Sequence, residues 1–129
     1  MTRDVITANT LAESTFQVDD GGVAISTTND AEIAAAVVAN ADRYALMLRF
    51  DITACTNGDT ITVVEGDGFR SGLGNMTKVC VTGAQTVLLG PLETARFKIQ
   101  NAITDRGKIY INYAGTSIAG MAHLYLVPK

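Results

Sequence analysis

The sequence predicts a mainly β protein: an antiparallel β-sandwich or barrel with one short helix and an extended N-terminal arm. Three observations carry this expectation. From Tyr44 onward apolar residues recur at every second position, the period of a strand with one buried face. The alternating runs are short and are bounded by Gly, Pro, Asn or Asp, the pattern of sandwiches and barrels. A helix-start signal occurs only at Asn29.

In chain order, residues 1–15 carry little periodicity around Val5, Ile6 and Leu11, and read as an arm that orders against a partner. Residues 16–129 form a single β-rich domain without a linker or a solenoid repeat. Asp19-Asp20-Gly21-Gly22 reads as a turn and Val23–Ser26 as a short strand. Asn29 is a good N-cap, with Glu32 three residues on and IAAAVVA after it, so a short helix is expected to end near Asp42. In Tyr44–Ile52 the even positions are Tyr, Leu, Leu, Phe and Ile, which specifies a strand. Asn57-Gly58-Asp59 turns into Thr60–Glu65, with Ile61, Val63 and Glu65 on one face. Further strands are expected at Met76–Thr82, Thr86–Leu89, Ala95–Gln100, Lys108–Tyr113 and Met121–Val127.

Composition narrows the function. A chain of 129 residues with 47% apolar content has enough material for one modest core. A net charge of −3 and no Trp leave neither a basic stripe nor a stacking platform, so nucleic acid is not expected as a partner. No apolar run approaches the length of a membrane-spanning helix, and MTRDVITANTLAES lacks the apolar core of a secretory signal. Synthesis in the cytoplasm without export by that route is expected. Cys55 and Cys80 belong to no CxxC or Cys/His cluster; a disulfide is open, and free thiols fit a reducing compartment.

The constellations that attract chemical readings are weak. GDGFRSGLGN (66–75) has Ser71 where a dinucleotide fingerprint needs its third Gly, and a strand follows it, so its glycines serve loop geometry. Asp59 and Asp67 lack the ligand density of a calcium loop. His123 falls opposite Ala122, Leu124 and Leu126 and reads as a surface-strand histidine without a second ligand. In LLGPLETARF (88–97), Gly90-Pro91 ends a strand, and Glu93 and Arg96 point apart unless residues 91–94 turn back on themselves. With Phe97 and Ile99 inward, Arg96 is expected to face outward. No second acid lies near Glu93, so neither catalytic residues nor metal or cofactor sites are expected.

TVVEGDGFRSGLGNMTKVCVTGAQTVLLGPLETARFKIQ, then GKIYINYAGT and LYLVPK, resembles the head decoration, or capsid cement, proteins of tailed bacteriophages. The marking elements are Gly72–Gly74, Gly90–Phe97, Gly107–Tyr113 and Leu124–Val127, within a resemblance over residues 44–129. It implies a structural virion protein on the capsid exterior, bound to the major capsid protein, homo-oligomeric with a trimer favoured, and without catalysis. On that basis Arg3, Asp4, Val5 and Ile6 of the arm, with Glu93 and Arg96 of the corner, are the expected capsid or subunit contacts. A glycan-binding sandwich using outward Tyr110 and Tyr125 is the alternative, and a small Cys or His hydrolase a third reading.

Overall fold

The computed structural model describes residues 2–19, 22–68, 71–101 and 103–129. Parts of the anticipated Asp19–Gly22 turn and of the glycine-rich loop, Asp20-Gly21 and Phe69-Arg70, lie outside the described residues. Among the described residues ten strands form: β1 (Asp4–Val5), β2 (Ala8–Thr10), β3 (Val23–Ala24), β4 (Ala31–Ile33), β5 (Tyr44–Ala54), β6 (Thr60–Val63), β7 (Met76–Val79), β8 (Gln85–Leu89), β9 (Ile109–Ala114) and β10 (Ala119–Pro128). One sheet runs β1-β4-β9-β6-β7 and the other β2-β10-β5-β8, with β3 sharing an edge of β10 with β2. The architecture is a β-sandwich, and the sheets do not close into a barrel. Both sheets are mixed: β1 joins β4 and β2 joins β10 in parallel, while the other pairings are antiparallel.

The core follows the period-two pattern. Leu46, Leu48, Phe50 and Ile52 of β5, beside Ala122, Leu124 and Leu126 of β10 in the same sheet, face Ile61 and Val63 of β6 and Ile109, Ile111 and Tyr113 of β9, all buried. Phe50 and Tyr113 meet edge to face across the sandwich, ring centroids 6.3 Å apart.

The N-terminal segment is extended, and it is woven into the sandwich. β1 pairs with the first sheet and β2 with the second, so the chain crosses between them at Ile6-Thr7. Ile6 is 0% exposed and joins the core at that crossing. This side of the sandwich is thereby stapled shut.

Two expected elements differ. Ala31–Ile33 is a strand with all three residues buried, and the helix begins only afterwards, as α1 (Ala35–Val38) continued by a 3-10 turn at Ala39–Asp42. Asp30 takes a left-handed φ of 58°, which a helix running on from Asn29 does not allow, and the Asn29 amide donates to Asp4 Oδ1 instead of capping. The second is the expected strand Ala95–Gln100. It is replaced by a single helical turn, α2 (Thr94–Phe97), which carries the chain from β8 toward the other sheet and plants Phe97 in the core.

The glycine-rich loop packs against this corner. Gly66 N–H donates to Arg96 O at 2.9 Å, and its backbone lies so close to Lys98 O that no Cβ fits. Asp67 accepts the backbone N–H of Gln100 and Asn101. Among the described residues no helix is long and apolar enough to cross a membrane.

Candidate functional site

β5 and β10 present Met47, Arg49, His123, Tyr125 and Val127 on the outer face of their sheet, because their partners in the alternation fill the core. Residues 11–19 fold back over this face. Leu11 N–H donates to Leu126 O at 2.8 Å, and the Gln17 side chain bridges Thr10 O and Ala12 N–H, which sets the loop. Its far end delivers Asp19, whose Oδ2 accepts Tyr125 Oη–H at 2.6 Å and lies 3.2 Å from Arg49 Nη2. Burial, reinforced by the hydrogen bond to Asp19, pushes the Tyr125 phenol up to about 12.

His123 is 5% exposed, so it is not the surface histidine its strand position predicts. The loop at Asp19 and the backbone of Gly22 cover it; a Cβ on Gly22 would lie 2.9 Å from Nδ1. Arg49 Nη2 stands 3.2 Å from His123 Nε2. A guanidinium only donates, so Nε2 is the acceptor in this contact. Nδ1 lies 3.6 Å from Asp19 Oδ1, too long for a hydrogen bond. The His123 and Tyr125 rings lie within 4° of parallel.

Above this cluster is a pocket of about 360 Å³, walled by Leu11, Val18, Met47, Leu88 and Val127 and polar at Asn9, Asp19, Arg49 and Tyr125. A histidine beside an aspartate suggests general-base chemistry, but among the described residues neither cysteine is placed beside this pair. Arg49 stands opposite His123, and Cys55 follows Arg49 by six residues along β5, roughly 20 Å at strand rise. Both cysteines are buried and free. Burial, then the neighbouring Cys55, pushes the Cys80 thiol up, the reverse of an activated thiolate. Among the described residues no group of three or more His, Cys, Asp or Glu is placed to hold a metal ion.

The six residues expected as contacts fall into separate places. Arg3 is half-buried: Nη1 donates to Ala31 O, Ile111 O and Asn112 Oδ1, and the guanidinium lies 3.9 Å from the Tyr110 ring centroid. Asp4 accepts from Asn29, Ile6 is core, and Val5 alone of the four has its side chain mostly in solvent. Arg96 does not face freely outward. Nε donates to Gly74 O at 2.9 Å, and Nη2 lies 3.3 Å from both Leu73 O and Asn75 O, so it organises the loop leading into β7. Glu93 and Arg96 are joined through the backbone, Arg96 N–H to Glu93 O, while the Glu93 side chain lines a shallow pocket with Tyr44, Pro91 and Lys129. Arg3–Ile6 and Arg96 thus serve opposite edges of one sheet.

A second surface feature is one that parity rules do not reveal. β7 and β8 are the edge strands of the two sheets on the side away from the N-terminal staple. All four residues of β7 are exposed, as are Val81 and Leu88. Between these strands an apolar cleft of about 200 Å³ reaches core residues Phe50, Ile61 and Val63, with Met76, Lys78 and Leu88 at its mouth. Comparisons with family models, curated proteins and solved structures each found no match.

Proposed function

We propose that the chain is a structural virion protein that docks on the exterior of an assembled bacteriophage capsid and stabilises it, acting by contact and without catalysis. The carrying observation is the unprotected β7/β8 side. Edge strands offer unpaired main-chain groups, and folds that work alone cover, twist or charge them. Here two edges lie side by side with Met76, Val79, Val81 and Leu88 exposed, and Lys78 is the only charge on β7. The β7 edge suits main-chain pairing with an extended segment of a partner. The major capsid protein is the partner that the sequence resemblance favours, and a homo-oligomer, trimeric in that reading, multiplies a modest interface over a repetitive shell.

The test is co-sedimentation of purified protein with expanded empty capsids. Saturation at a fixed copy number is expected, with Val79→Glu on the β7 edge lowering the affinity. Shells left bare at every salt concentration would falsify the proposal.

A second reading is favoured by the pocket over Tyr125. One aromatic wall beside Asn9, Asp19 and Arg49 matches the needs of a glycan site better than Tyr110 does, whose face is taken by Arg3. Glycan-array binding abolished by Tyr125→Ala but untouched by Val79→Glu on the β7 edge would favour it over shell docking.

A further inference from the structure

We propose that Phe16 is the knob of a self-association seam whose socket is the β7/β8 cleft of a second copy of this chain. Phe16 is the most exposed large apolar side chain of the described residues, wholly in solvent. It does not hang from a free tail. Leu11 is tied to Leu126, Gln17 bridges back to Thr10 and Ala12, and Asp19 is held by Arg49 and Tyr125, so the loop presents its ring from fixed anchors. A pre-set aromatic projection loses little freedom on binding, which is what makes such residues interface anchors.

The socket fits this occupant in size, chemistry and charge. A dry apolar cavity of about 150 Å³ accepts benzene, and the cleft offers about 200 Å³ between Met76, Val87, Leu88 and the core side chains. Glu13 is the only charged residue of the loop over residues 12–18, and Lys78 the only one lining the cleft. Phe16 is wholly in solvent and no residue of its loop lines the cleft, so a chain does not fill its own cleft. Knob and socket are different patches, so the contact is heterologous, and copies add head to tail into a closed ring or an open chain. From the proposed function this takes only the idea that copies associate; the contact itself is argued from Phe16 and the cleft.

Sedimentation equilibrium of the full chain, from micromolar to sub-millimolar concentration, is the test. The wild-type chain is expected to associate beyond a dimer, and Phe16→Ser and Met76→Glu each to weaken association roughly tenfold or more. Both positions are exposed, so melting temperatures stay unchanged. The decisive arm mixes the two variants: the Met76→Glu chain keeps its knob and the Phe16→Ser chain its socket, so the mixture forms one-to-one complexes that neither forms alone. Glu13→Lys and Lys78→Glu each weaken the seam and together restore it, which supplies the answer if Met76→Glu fails to fold. A wild-type chain monomeric throughout, variants that associate as it does, or a mixture without one-to-one complexes overturns the seam. Protein that associates but leaves shells bare defeats the capsid reading alone; protein that binds shells while remaining monomeric defeats the seam alone.

Discussion

Asp59 and Gly115 interlock at one end of the sandwich. The Asp59 carboxylate accepts backbone N–H groups from Thr56, Thr116 and Ser117, and so ties the β5–β6 turn to the β9–β10 turn. Gly115, at φ 140°, brings its backbone against the carboxylate so closely that a Cβ has no room. The hydrogen bonds, that from Thr56 N–H foremost, hold the Asp59 carboxyl below its ordinary value of 3.8 against the opposing effect of burial. A lowered carboxyl contributes stability above the unfolded pKa and loses it as pH falls through the folded one. Asp59→Asn is therefore expected to melt below the wild type at neutral pH, with the gap closing below about pH 4. Gly115→Ala should cost about 1–3 kcal/mol at every pH. Thermal melts from pH 3 to 7 check both; a gap independent of pH would remove the carboxylate from the argument.

Tyr125 and Asp19 predict an alkaline response of the opposite sign. Tyr125 and Tyr110 are each pushed up to about 12, burial being the larger cause in both. A raised phenol stabilises the fold below its unfolded value near 10 and loses that contribution as pH climbs through the folded value. Absorbance titration at the phenolate band should show these rings ionising late, together with the onset of alkaline unfolding. Asp19→Asn should bring Tyr125 part of the way down, since the charge goes and the burial stays. No change in the titration would mean that the hydrogen bond to Asp19 is not formed in solution.

Ile6 makes the N-terminal segment a stability element as well as a surface. Because the chain crosses between the sheets there, Ile6→Ala should cost about 2–5 kcal/mol, the range for truncating a fully buried aliphatic side chain. Deleting residues 1–12 should lower the melting temperature as well as any shell binding, while Val5→Ser, at an exposed position, should leave stability alone. Chemical denaturation of the three variants separates these effects. A deletion that melts like the full chain would place Ile6 outside the cooperative core.

How far the sequence reveals this fold depends on the length of each element. β5, β6, β9 and β10 are long enough for alternation to declare both the strand and its buried face, and Leu48, Ile61, Ile111 and Leu124 are buried as their parity requires. β1, β2 and β4 hold two or three residues each, too few for any period, and their partners are distant in sequence, whereas β3 falls within the strand that the turn before it marks at Val23–Ser26. Asn29 and Glu32 imitate a capping box, but Asp30 turns left-handed and donates its role to the sheet: its Oδ1 accepts Tyr113 N–H. His123 keeps the predicted face yet is covered by Asp19 and Gly22, a contact across about a hundred residues that no local pattern encodes. The β7/β8 cleft was illegible for the same reason, since it depends on which strands end up as edges.

Arg96 supplies the last prediction, because its three carbonyl partners fix the entry to the open edge. Leu73, Gly74 and Asn75 turn their C=O groups toward one guanidinium, and Asn75 Oδ1 in turn accepts Glu65 N–H at 2.7 Å, so the loop before β7 is held from two sides. A fork of fixed donors satisfies several acceptors at once, which a lysine ammonium on a flexible stem does not reproduce. Arg96→Ala and Arg96→Lys should both loosen this loop at a global cost of about 1.5–3 kcal/mol, the net worth of one hydrogen bond to a charged group. Amide exchange should rise across residues 73–79 while β5 and β10 keep their protection. If the β7/β8 edge is the docking surface, both variants also weaken binding there without any change at the edge itself. Exchange that rises equally across both sheets, or a lysine variant indistinguishable from wild type, would show that Arg96 acts through general packing and not by positioning the edge.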